Sequence, residues 1–95
     1  MEAIICFESV SKAIAAEQLL AKNTFSVKVM PTPSSVRAGC GICLRFLPEE
    51  LRKAADFLFE QGFTDTEAYM REEAGGMASY EKISFANGGE DADGR

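Results

Sequence analysis

An α+β two-layer sandwich is the fold this sequence predicts, and three observations predict it. Short apolar or alternating runs rich in β-branched residues recur along the chain. Two longer stretches between them carry helical periodicity. The order reads strand, helix, strand, strand, helix, strand. That order suggests a ferredoxin-like βαββαβ unit, with an antiparallel sheet and both helices on one face.

Ala3 to Phe7 is a compact apolar run, the expected first strand. Ser9 can cap a helix by accepting an early backbone N–H. That helix runs from Val10 to about Lys22, with Ala13, Ala16 and Leu20 on one stripe and Ile14 at its edge. Asn23 is the expected left-handed stop. Ser26 to Met30 alternates and reads as a second strand, ended by the stiff Pro31-Thr32-Pro33-Ser34-Ser35 loop. Gly41 to Leu47 alternates again, with Ile42, Leu44 and Phe46 on one face and Cys43 and Arg45 on the other. Pro48-Glu49-Glu50 opens a second helix, since proline suits the first position and acids suit the first turn. Leu51, Ala54, Ala55 and Leu58 follow at helical spacing, and Gly62 ends it, with Phe63 folding back on Leu58. Thr66 to Met70 is the last strand of the unit. Residues 1–71 therefore form the expected domain. Residues 72–95 read as an acidic extension, with a polar break at Glu72 to Gly76, a further strand or docked helix over Tyr80 to Phe85, and a disordered G-G-E-D-A-D-G-R end.

The chain has 95 residues, 46% hydrophobic and 26% charged, which suits one small globular domain. No apolar run is long enough to span a membrane. The N-terminus lacks the pattern of a signal peptide, so the expected location is the cytoplasm, where the three cysteines stay reduced. There is no histidine, which excludes Cys-His dyads, Ser-His-Asp triads and most mixed zinc sites. The net charge of −5 lies mostly after Arg71. Between Gln18 and Pro48 there is no acid at all, only Lys22, Lys28, Arg37 and Arg45. Four cations over that length are too sparse for a nucleic-acid surface. Their sign does suit a thiolate or a small anion.

Cys40 sits in that positive stretch, between Gly39 and Gly41, just before the third strand. Small neighbours leave its sulfur unhindered, and their backbone N–H groups can form an anion-binding nest. With Arg37 and Arg45 near in sequence, this is the setting that lowers a thiol pKa and makes it nucleophilic. Cys6, in an apolar strand, reads instead as a small core residue. Cys40 and Cys43 have C-x-x-C spacing, but the motif leads into a strand rather than a helix, which argues against a thioredoxin-type centre. Cys43 is retained as a second thiol. No metal site is expected, since one chain cannot supply four thiolates.

A strand, a serine-led helix containing Ala15-Ala16-Glu17, then Pro31-Thr32-Pro33, Cys40-Gly41, Leu44-Arg45-Phe46, Pro48-Glu49-Glu50-Leu51 and a glycine-stopped helix together resemble a known family. It is the putative selenium/sulfur carrier protein-like family of short bacterial proteins, and the likeness covers about residues 3–70. It implies that Cys40 carries sulfur or selenium as a persulfide or perselenide. Cys43 falls where the family is expected to have a small residue, and the tail after Arg71 is longer than expected.

Both lines lead to one expectation. Cys40 accepts a sulfane sulfur or reduced selenium from a donor such as a cysteine desulfurase. It holds the terminal anion against loop N–H groups and Arg37 or Arg45, then passes it to an acceptor protein. Such a chain is a carrier more than a stand-alone enzyme and needs no cofactor. Two other readings stand beside it. One is a small-molecule-binding or dimerising regulatory module that uses an open sheet face lined by Ser26, Lys28, Met30, Cys43 and Arg45. The other is a redox sensor that joins Cys40 to Cys43.

Overall fold

The computed structural model describes residues 1–36 and 41–83. The elements run β1 (Glu2–Cys6), α1 (Val10–Lys22), β2 (Lys28–Pro31), β3 (Ile42–Phe46), a short 3-10 turn at Pro48–Glu50, α2 (Leu51–Glu60), β4 (Glu67–Ala74) and β5 (Met77–Ile83). This is a mixed α+β fold. Among the described residues, an open antiparallel sheet has the order β2-β3-β1-β4-β5. The expected six-element βαββαβ order is not matched, because β5 adds a seventh element at the sheet edge.

Both helices pack on the same sheet face. Ala13, Ala16 and Leu20 of α1 and Leu51, Ala54, Ala55 and Leu58 of α2 join Ala3, Ile5, Leu44 and Phe46 in one buried cluster. The alanines let the helices approach the sheet closely, while the leucines fill the space between layers. Phe7 closes one end against Phe63, edge to face at 6.0 Å.

The helix ends follow their local chemistry. The Ser9 side chain accepts from the Lys12 N–H at 3.2 Å. After α2, the Phe63 N–H reaches the Leu58 carbonyl at 2.9 Å and the Gly62 N–H reaches the Phe59 carbonyl at 3.1 Å. With Gly62 at φ 97°, this is a Schellman ending. At the end of α1 the left-handed residue is Thr24, at φ 66°, and not Asn23. Asn23 instead turns its amide back to the Leu19 carbonyl at 2.8 Å, which takes over the capping work and moves the reversal on by one residue.

Two other boundaries differ from expectation. β2 starts later and includes Pro31, which an edge strand tolerates because one side of it pairs with nothing in the sheet. β4 continues through Ala74, across the polar Glu72-Glu73 pair, into a two-residue turn at Gly75-Gly76 with φ 61° and 81°. Positive φ at both positions matches the hairpin turn that returns the chain as β5. The break expected from Glu72 is thus confined to the two glycines.

Candidate functional site

The second sheet face, opposite the helices, carries the candidate site. Alternation along the strands places Ile4 and Cys6 of β1 there, with Cys43 and Arg45 of β3, Met30 of β2 and Tyr69 of β4. This face was expected to be open; Ser26 and Lys28 are exposed and Met30 and Arg45 are part-exposed, but the part around Cys43 is covered. Ile4, Cys6, Val36 and Cys43 form a second buried cluster, with Met30, Tyr69 and Tyr80 packed against it. Cys43 is completely buried and cannot line an open surface.

The ladder sets the residues of this cluster side by side. Cys6 pairs with Cys43 across β1 and β3, and Met30 pairs with Cys43 across β2 and β3. Three sulfur side chains therefore stand in one row across three strands, with Glu67 of β4 next beyond Cys6. Cys6 and Cys43 are both thiols, neither bridged by a disulfide.

The Pro31-Thr32-Pro33 segment builds the cover of this row. The Thr32 N–H donates to the Gly41 carbonyl at 3.0 Å, which ties the start of the β2–β3 connection to its end. The Val36 N–H then donates to the Pro33 carbonyl at 3.0 Å, a turn that folds Val36 onto the two thiols. Ser34 and Ser35 are the central residues of that turn, and serine is a common turn residue. Val36 is only 5% exposed, although it lies in a loop of serines.

Cys43 has a lowered pKa for identifiable reasons. The Cys6 thiol hydrogen-bonds its sulfur, which favours the thiolate most strongly. Burial opposes ionisation, and a further hydrogen bond from the Thr32 side chain favours it. The hydrogen bonds win. Burial opposes ionisation of Tyr69 as well, and there the hydrogen bond its hydroxyl donates to Glu67 at 3.0 Å acts in the same direction, so its pKa is raised.

The charged groups of this face are largely engaged with one another. Arg45 meets Glu2 at 3.4 Å, and Glu2 also meets Arg71 at 3.5 Å. Arg71 in turn binds Glu73 at 3.0 Å and donates to the Tyr80 hydroxyl at 3.2 Å. Arg45 thus has a carboxylate partner on β1, in contrast to its expected role as a cation held for an anion. Arg37, Gly39 and Cys40 lie outside the described residues. Gly41 lies inside them and contributes the carbonyl that closes the loop.

The model of one family, Putative Se/S carrier protein-like, matches residues 2–70. The chain belongs to the Se/S carrier-like family. No curated protein and no solved structure matches the chain. The span matched by the family model runs from β1 into the first half of β4, and hence takes in all three cysteines. β5 lies beyond it. No helix among the described residues is long and apolar enough to cross a membrane.

Sequence reasoning placed Cys6 in the core and Cys43 on the face opposite Leu44, and both placements hold. It missed that the two thiols are cross-strand partners and that Thr32 serves Cys43. The first depends on strand register, which one sequence does not state. The second had a signal: a hydroxyl residue clamped between two prolines is held in a fixed place, whatever it touches.

Proposed function

We propose that this chain is a sulfur or selenium carrier that holds a persulfide or perselenide on Cys40. The observation that carries this reading is the membership of residues 2–70 in the Se/S carrier-like family, a span that includes Cys40. Its sequence setting between two glycines supports it, because an unhindered thiol beside N–H donors makes a good nucleophile. So does the neighbouring thiol chemistry, since Cys43 of the same C-x-x-C segment already has a lowered pKa.

In this reading a cysteine desulfurase or similar protein donor presents its persulfide. The Cys40 thiolate attacks the terminal sulfur, the donor thiolate leaves, and the sulfane sulfur rests on Cys40 until an acceptor protein takes it. Gly39, Gly41 and Arg37 are the supporting groups. Arg45 joins them only by exchanging its contact with Glu2. The exchange takes place between cytoplasmic proteins and uses no cofactor. The first six elements and their sheet order are read as a ferredoxin-like unit to which β5 is added.

The test is single-turnover discharge of a cysteine desulfurase already loaded as its persulfide and freed of cysteine. The wild-type chain is expected to discharge it faster than the Cys40→Ser variant, with both variants melting alike. Equal discharge by the two chains removes Cys40 from the mechanism.

One observation favours a second reading, a small-molecule-binding module. A cleft of about 500 Å³ opens beside β2 and β3, lined by Phe25, Ser26, Lys28, Arg45 and Phe46 among others. Its size is in the range of ligand pockets. Met30 and Cys43 do not line it, so it lies apart from the thiol pair. A ligand there would bind whether or not Cys40 is present, which separates the two readings.

A further inference from the structure

The carrier reading leaves two of the three thiols unused, and these two are neighbours. Cys6 and Cys43 face each other across the β1–β3 ladder, with the Cys6 thiol hydrogen-bonded to the Cys43 sulfur. Directly opposed residues in an antiparallel pair have Cβ atoms about 4.5–5.5 Å apart, within a small adjustment of the span a disulfide bridges. Each thiol is thus held beside the only kind of group with which it can share an oxidation. Ile4, Val36, Met30 and Tyr69 surround them, so the pair meets little water. Thr32 adds a hydroxyl that stabilises charge on Cys43 and not on an arbitrary sulfur of the row.

We infer that the Cys6–Cys43 pair is a reducing centre that takes a sulfane sulfur at Cys43 and releases it as sulfide, closing a cross-strand disulfide. This rests on the carrier reading, whose cargo it converts. The Cys43 thiolate attacks the terminal sulfur of an incoming persulfide, and the thiolate that carried it leaves. Cys43 now holds the S–SH group. The Cys6 sulfur attacks the inner sulfur of that group, the bond to the terminal sulfur breaks, and hydrosulfide departs with both bonding electrons. The proton of Cys6 goes to the departing sulfide or to water. Two thiols are oxidised to one disulfide, and one sulfane sulfur is reduced by two electrons to sulfide. An external dithiol or thiol reductant restores the pair.

The register explains why Cys6 and not another group completes the reaction. Holding the second thiol opposite the first makes the closing step intramolecular, which favours it strongly over attack by a thiol from solution. Val36 is the residue folded over the pair, so its displacement admits the sulfur. A smaller residue there speeds entry.

The experiment uses the full chain carrying Cys40→Ser, so that Cys6 and Cys43 are its only thiols. Glutathione persulfide, one equivalent, is the sulfur source, and no donor protein is involved. After alkylation, intact-mass and peptide mapping are read beside released sulfide. The chain is expected to lose two hydrogens, to show a Cys6–Cys43 linkage, and to release one sulfide per disulfide formed. Addition of Val36→Ala raises the rate. Addition of Cys6→Ala, with folding checked by circular dichroism, converts the product to a one-sulfur adduct on Cys43 and returns sulfide to the level of the persulfide alone. Absence of the linkage overturns the inference, and that readout needs no Cys6 variant. Sulfide release undiminished by Cys6→Ala overturns it equally. Because neither Cys40 nor a desulfurase takes part, failure here and failure of the carrier reading are separate results.

Discussion

Thr32 and Cys43 are hydrogen-bonded, a contact between the middle of a proline-flanked loop and the first buried residue of β3. It links the two most distinctive stretches of the sequence. Replacing Thr32 by valine keeps the shape and removes the hydroxyl. The Cys43 pKa is expected to rise, since the charged form loses a donor while burial continues to oppose it. Thiolate absorbance followed against pH in the Cys40→Ser background reads this directly. An unchanged titration contradicts the contact.

Stability is expected to depend on pH through the same thiol. The native pKa of Cys43 is lowered from its ordinary value of 9.0, so between the two values the unfolded chain binds more protons. The resulting stabilisation is fully present above 9.0 and is lost as pH falls through the native value. Tyr69 acts in the opposite sense, because its raised pKa contributes below its ordinary value of 10.0 and is lost as pH rises through the native one. Denaturant unfolding of the wild type and of Cys43→Ala isolates the thiol. The difference between them is expected to move in favour of the wild type as pH rises toward 9.0. The shift belongs to the Cys6–Cys43 pair as a unit.

How much of this was readable in advance varies by element. Both helices and their buried stripes were legible, because Ala13, Ala16 and Leu20, then Leu51, Ala54, Ala55 and Leu58, repeat at a period that only one face of a helix satisfies. β5 was less legible. Met77 to Ile83 is largely exposed and mixes polar and charged residues, so hydrophobic alternation is weak there. Its clearest signal is the Gly75-Gly76 turn, and pairing with β4, not burial, makes it a strand. The covered part of the second face, around Cys6 and Cys43, was the least legible. Its burial comes from Val36 folding back out of a serine-rich loop, a tertiary contact with no periodic signature.

The Gly75-Gly76 turn can be tested alone. Both residues have positive φ, where a Cβ costs about 1–2 kcal/mol. Gly76→Ala is therefore expected to lower the unfolding free energy by about that amount, although a Cβ there meets no atom within 4 Å. Gly75→Asn is expected to cost less, because asparagine tolerates this conformation. A larger loss for asparagine than for alanine would mean that steric contact, and not backbone conformation, decides the turn.

Leu58 reports on the helix-sheet core. It is 1% exposed within the main cluster, so Leu58→Ala is expected to cost about 2–5 kcal/mol. In a domain this small that is a large part of the total. Val29→Ala is the control, since Val29 is 49% exposed, and its effect on the denaturation midpoint is expected to be small.

The carrier account is tested most directly by intact-mass spectrometry of chains incubated with a cysteine desulfurase and cysteine. The chain carries Cys6→Ala, which closes the reductive exit and keeps sulfur where it lands. It is compared with the same chain carrying Cys40→Ser as well. The account predicts a gain of one sulfur atom on the first chain and none on the second, because a protein donor does not reach the buried Cys43. An equal adduct on both chains, or an adduct on neither, contradicts it.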